Sequence, residues 1–162
     1  MVIRKATGEE MLSLWGYESV ENASYTAKFF YQNISSGNAV FWALDHNGEL
    51  IGELYVFLDL EDKDFADGIN RAYLCAFRVQ AAYRGQGLGS SLMEKAIAEL
   101  KEHGFRSAAI GVAMDEPQNI RLYRRMGFTE RIKDCYFDPC GFDENGQAIY
   151  EEAGWWLLSK EL

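Results

Sequence analysis

Three glycines within five residues, Gly85, Gly87 and Gly89 of Arg84-Gly85-Gln86-Gly87-Leu88-Gly89, stand between a strand-like run and an amphipathic helical run. Ser90-Ser91-Leu92-Met93-Glu94-Lys95-Ala96 follows at once, so the glycines make a tight turn that opens a helix. The first amides of a helix have no intrahelical partner, and the aligned peptide dipoles place about half a positive charge there. Positions without side chains let an anion approach those amides closely. The pattern predicts either a phosphate cradle or a bare strand-to-helix connection, and the turn alone does not separate them.

Gly85 and Gly87 fit the first two glycines of the dinucleotide fingerprint G-x-G-x-x-G, but Ser90 stands at the third. The turn also lies mid-chain, and no carboxylate closes a second strand about 20 residues on, where ribose recognition needs one. The nearest is Asp115. These residues argue against a nicotinamide site.

Arg84, Gly87 and Gly89 match every fixed position of the acyl-CoA-binding motif of the GNAT superfamily of N-acetyltransferases: Arg or Gln, two residues, Gly, one residue, then Gly or Ala. Val79 and Tyr83 precede it as they commonly do in that family. Leu122-Tyr123-Arg124-Arg125-Met126-Gly127-Phe128 resembles the family's Leu-Tyr-x-x-x-Gly-Phe segment, at a compatible distance. The resemblance covers roughly Gly48 to Phe128 well and the ends in outline. It implies acetyl-CoA as co-substrate, held by Phe77, Arg78 and Val79 along the pantetheine arm and by Arg84, Gly85, Gln86, Gly87, Leu88, Gly89 and Ser90 around the pyrophosphate. It also implies Tyr123 as the general acid. Many relatives carry an asparagine seven residues before that tyrosine; here the position is Glu116, and Asn119, one turn before Tyr123, is the expected substitute.

At 162 residues the chain matches one domain, 1–162, and folding buries about two-thirds of the unfolded surface, so no disulfide staple is needed. Cys75, Cys135 and Cys140 are odd in number, without C-x-x-C spacing, and read as reduced buried thiols. No apolar run approaches the roughly 20 residues of a membrane span, and the first residues carry no apolar leader, so a cytoplasmic protein is expected. The net charge of −9 argues against tracking along nucleic acid and slightly favours a cationic partner.

Val2 to Ala6 predicts a first strand, and Thr7-Gly8-Glu9-Glu10 a capping box for a helix to about Gly16. A second helix is expected over Glu21 to Asn33. Its aromatics Tyr25, Phe29 and Phe30, with Trp15 and Tyr17 in the connection, read first as core, though the resemblance places this helical pair over the acceptor site. Asn47-Gly48 predicts a hairpin between Ala39–Leu44 and Leu50–Leu58. Asp59 to Asp67 reads as an acidic loop or lid. Strands are expected over Arg71–Gln80, Ala108–Ala113, Phe128–Phe137 and Gly154–Ser159, with helices from Leu88 toward Gly104 and from Pro117 to Met126. Trp155 and Trp156 should point to opposite faces of their strand. Asp138 to Glu152 reads as a long acidic loop that approaches the acceptor.

Acetyl transfer to an amine requires that the amine lose its proton. An alkyl ammonium near pKa 10.4 is only about 0.04% neutral at pH 7, a penalty of roughly 4.6 kcal/mol. Some relatives place a glutamate on the strand that corresponds to Ala108–Ala113, but Gly111 stands there. Glu53, Asp67, Asp115 and Glu116 remain as bases, each reading first as a surface carboxylate. The chain is thus expected to be one α/β domain of GNAT type, with a mixed, mostly antiparallel sheet flanked by helices. It should transfer acetyl from acetyl-CoA to a primary amine of a small molecule or peptide, without nucleic-acid or membrane partners; a homodimer is compatible. A module that binds acyl-CoA without catalysis is the alternative.

Overall fold

The computed structural model describes residues 1–162. Along the chain run β1 (Val2–Ala6), α1 (Gly8–Leu14), α2 (Tyr25–Ser36), β2 (Ala39–His46), β3 (Glu49–Phe57), β4 (Arg71–Val79), α3 (Leu88–Glu102), β5 (Ser107–Ala113), α4 (Pro117–Arg125), β6 (Glu130–Phe142) and β7 (Ala148–Glu161). The strands form one seven-stranded sheet in the order β1-β2-β3-β4-β5-β7-β6. Every neighbouring pair is antiparallel except β4 with β5, whose parallel pairing needs a long crossover that α3 supplies. No helix is long and apolar enough to cross a membrane.

Side-chain alternation along the strands sends apolar residues to both faces, and the helices cover them. Leu54 and Val56 of β3 join Leu92, Met93 and Leu100 of α3, while Tyr55 and Phe57 join Met11 of α1 and Phe30 of α2. Trp155 packs on the α1–α2 side and Trp156 on the α3–α4 side, as alternation requires.

The two central strands part company. β4 and β5 pair only from Arg71 to Leu74 against Ser107 to Ile110; beyond Leu74, β4 bonds to β3 and β5 to β7. In the same stretch β4 carries a bulge: Tyr55 lies opposite Cys75 while Glu53 lies opposite Arg78, and Ala76 sits at φ 49°. An extra residue in one strand bends it and re-aims its side chains. The result is an open wedge in the middle of the sheet.

Local chemistry fixes the helix ends. The Thr7 hydroxyl accepts from the Glu10 amide, and the Glu10 carboxylate accepts from the Thr7 amide, each at 3.1 Å, so the capping box forms as the sequence predicts. The second helix starts at Tyr25 instead of Glu21, because the Ser24 hydroxyl accepts from the Ala27 amide and caps it there.

Two expectations about loops change. Asp138–Glu152 is a hairpin: β6 runs to Phe142, β7 starts at Ala148, and Phe137 pairs with Tyr150. The Asp143 carboxylate accepts from the amides of Asn145 and Gln147, closing the turn and satisfying backbone donors that a long loop would leave to solvent. Asp59–Asp67 is pinned. Leu60, Phe65 and Ala66 are buried, and Lys133 on β6 binds both Asp62 and Asp64, at 2.7 and 3.0 Å.

Candidate active site

At the end of β4 the chain turns through Gly85 (φ 79°) and Gly87 (φ 78°), left-handed conformations that disfavour any side chain. Gly87 is the N-cap of α3 and brings no capping side chain, so the first amides of the helix remain open. The Arg84 Nε donates to the Val79 carbonyl at 2.7 Å and braces the turn against β4. At Gly89 a Cβ would lie 2.8 Å from the Phe77 ring, so glycine sets how closely α3 packs on the strand.

A cavity of about 610 Å³ opens in front of these amides. All the predicted cofactor residues line it except Gln86, whose side chain lies outside the lining, and Tyr123 lines it too. Arg125 and Gln118, both on α4, also contribute; for Arg125 its place in the family's second motif was the signal available, while Gln118 lies before that motif. The lining holds three arginines, Arg78, Arg84 and Arg125, and no carboxylate, in a chain whose net charge is −9. Open helix-start amides, three guanidinium groups and an absence of side chains at the turn fit a polyanion such as the phosphates of coenzyme A. The Asn119 amide donates to Glu116, so the carboxylate that stands at the family's asparagine position is held at the start of α4.

A second cavity of about 610 Å³ occupies the other side of Phe77, Arg78 and Tyr123, residues that line both. Trp15, Tyr17 and Phe30 form part of its wall, so aromatics that read as core also shape a pocket. Cys75 and Cys140 line it as well. β6 contributes Asp138, the one acidic residue of the Asp138–Glu152 segment that reaches the cavity; Asp143 and Glu144 do not line it.

Of the four carboxylates singled out as bases, only Glu53 lines this cavity, and it is 8% exposed, not a surface group. One oxygen accepts from Trp15 Nε1 at 2.8 Å and from the Tyr55 hydroxyl at 2.9 Å; the other is 3.4 Å from Arg78 Nε. Those three partners let a carboxylate sit at the centre of a sheet. Burial and the charge of Glu53 hold the Tyr55 hydroxyl well above the ordinary phenol range, so it stays a donor. Asp67 instead accepts from the amides of Ile69, Asn70 and Arg71, and Asp115 is exposed. The glutamate site of some relatives is filled differently. A Cβ on Gly111 would lie 2.6 Å from the Trp155 ring and 3.3 Å from the Tyr73 hydroxyl.

Tyr123 is 7% exposed and sits where the two cavities meet. Burial first, and the negative charge of Glu116 second, push its hydroxyl up to about 12. It therefore keeps its proton throughout the neutral range.

The family model described as acetyltransferase (GNAT) family matches residues 7–128. An N-alpha-acetyltransferase of Sulfurisphaera tokodaii is 23% identical over 113 residues, and the match spans 66% of this chain and 66% of that relative. Among solved structures, the ribosomal-protein-alanine N-acetyltransferase of Brucella melitensis superposes with a TM-score of 0.67 at 18% identity, covering 100% of both chains. Arabidopsis thaliana NAA60 in complex with acetyl-CoA superposes with a TM-score of 0.68 at 21% identity, over 99% of this chain and 98% of that one. These likenesses show the fold, and the matched span contains the glycine turn, Glu53 and Tyr123. The chain belongs to the GNAT family of acetyltransferases.

Proposed function

We propose that this protein transfers an acetyl group from acetyl-CoA to a primary amine of a small molecule or a peptide. The observation that carries the reading is the junction: a cationic cradle and an aromatic, acid-bearing pocket share Phe77, Arg78 and Tyr123. When bound, acetyl-CoA supplies the activated acyl group. The amides of the turn and of the first residues of α3 bind its anionic portion. The β4 edge beyond Leu74, unpaired with β5, offers backbone donors and acceptors to an amide-bearing arm, in the manner of an added strand.

Tyr123 supports the departure of the thiolate by hydrogen bonding. A thiol near 8.5 and a phenol at about 12 differ enough that complete proton transfer to sulfur is uphill by about 5 kcal/mol, so the tyrosine donates without giving up its proton. Glu53 accepts the proton that the amine must lose, directly or through a water. Arg78, 3.4 Å from that carboxylate, orients it toward the junction. The relatives support an amine acceptor: one is described as an N-alpha-acetyltransferase, another as a ribosomal-protein-alanine N-acetyltransferase, and a third was solved with acetyl-CoA. Free thiols at Cys75, Cys135 and Cys140 suit a reducing, cytoplasmic setting.

The test is thiol release from acetyl-CoA across simple amines, diamines, aminoglycosides and short peptides. At least one class should give release in step with formation of its N-acetyl product. Saturable acetyl-CoA binding with no release across the whole panel would instead make the protein an acyl-CoA-binding module.

A further inference from the structure

The acceptor cavity holds two carboxylates and one cation. Arg78 is that cation, and it lies against Glu53. Asp138 has no such partner. Lys63, which lines an adjoining cavity together with Asp138, binds Asp59 at 2.7 Å, and Lys133, on the same strand as Asp138, binds Asp62 and Asp64. Net charge inside the pocket is therefore negative, and the uncompensated part belongs to Asp138.

That carboxylate is held in place. One oxygen accepts from the Cys140 amide at 2.9 Å, and a Cβ at residue 141 would run into the other, so Gly141 leaves the room it occupies. Its charge reaches the pocket wall: after burial and the neighbouring cysteines, Asp138 adds to the upward displacement of both the Tyr73 hydroxyl and the Cys140 thiol. Position is equally informative. Asp138 is absent from the cradle and from the shared Phe77, Arg78 and Tyr123 junction, and it also lines an adjoining cavity of about 740 Å³. Asp138 is therefore not among the residues that face the proposed transfer junction from both cavities.

Building on the acetyl-transfer reading, we infer that the acceptor is a linear diamine: one amino group reacts at the Tyr123 junction, and a second, still protonated, is held by Asp138. Tyr17, Phe30 and Tyr73 line the same cavity and offer apolar ring surface to the methylene chain that joins the two groups. An ammonium beside a partly buried, otherwise unpaired carboxylate gains attraction that an uncharged chain end does not. A monoamine of the same length would leave Asp138 as it is.

The experiment measures binding by calorimetry to the CoA-saturated protein, for 1,4-diaminobutane and 1,5-diaminopentane against butylamine and pentylamine, at low ionic strength. It uses the wild type and Asp138→Asn, whose side-chain oxygen still accepts from the Cys140 amide. Wild type should bind at least one diamine about 10-fold more tightly than its monoamine. Asp138→Asn should bring the two within about 2-fold while leaving the monoamine unchanged, and kcat/KM should follow the same ratios. Equal binding of diamines and monoamines by the wild type, or a preference that survives in Asp138→Asn, would overturn the inference. If the preference is present and depends on Asp138 but no amine is acetylated, the subsite stands and the transfer reading falls; if amines are acetylated without preference, the subsite alone falls.

Discussion

Replacing Tyr123 by Phe removes one oxygen and keeps the ring that packs near Phe128. The hydroxyl, pushed up to about 12, cannot pass its proton to a thiolate near 8.5 without a cost of about 5 kcal/mol, so what the variant loses is one hydrogen bond made to developing charge. Donors of that kind contribute about 2.7–4 kcal/mol, which predicts a fall in kcat of about 10²–10³-fold with the acetyl-CoA dissociation constant nearly unchanged. The assay is pre-steady-state thiol release under conditions where chemistry limits the rate. The same tyrosine makes a stability statement. Its folded value lies above that of an exposed phenol, so its contribution is complete below about pH 10 and is lost as pH rises toward about 12, by roughly 3 kcal/mol. Denaturant titrations of wild type should weaken across that window, and Tyr123→Phe should weaken less. Wild-type turnover in the Phe variant would reduce Tyr123 to a packing residue and refute the reasoning.

Gly87→Val places a branched side chain at φ 78° over the open amides, so the stabilisation of about 2.7 kcal/mol expected from acetyl-CoA at 100 times its dissociation constant should vanish from thermal melts of a still-folded protein. Glu53→Gln keeps an acceptor for Trp15 and Tyr55 but not the proton acceptor; kcat/KM at pH 7 should drop about 10²-fold, and the deficit should shrink as pH approaches 10 and the amine deprotonates unaided. A deficit independent of pH would assign Glu53 a structural part only. Gly111→Ala drives a methyl into Trp155, so chemical denaturation should show a loss of about 1–3 kcal/mol; an unchanged midpoint would mean that the indole moves freely.

The cradle was readable because everything that defines it is local: three glycines, an open helix start and Arg84 bracing the turn through Val79. The acceptor cavity was not, because it is assembled from α1 and the segment after it, α2, β3, β4, β5, α4 and β6, which no single stretch of sequence contains. Glu53 left a trace that alternation could have caught. It is the lone charged residue in Ile51-Gly52-Glu53-Leu54-Tyr55-Val56-Phe57, and a charge in an otherwise apolar run must find partners inside the protein. The β6–β7 hairpin was obscured by its acids, although Phe137, Ile149 and Tyr150 are strand formers flanking a turn sequence. Asp138 carried no chemical motif: its place comes from the room left by nearby Gly141 and from the engagement of Lys63 and Lys133 with other carboxylates.

Two thiols in the acceptor cavity, Cys75 and Cys140, offer a route in which the acetyl group first rests on the protein. Burial and the adjacent Cys75 push the Cys140 thiol well above its ordinary range, which makes it a poor nucleophile; the account predicts direct transfer with neither thiol acetylated. The most direct test is a single turnover with the protein in excess over acetyl-CoA labelled in its acetyl group, quenched after mixing with an accepted amine and read by mass spectrometry. The label should pass from coenzyme A to the amine with no acetylated protein at any time. Label on Cys75 or Cys140 that forms and decays at the rate of product formation would contradict direct transfer across the Tyr123 junction.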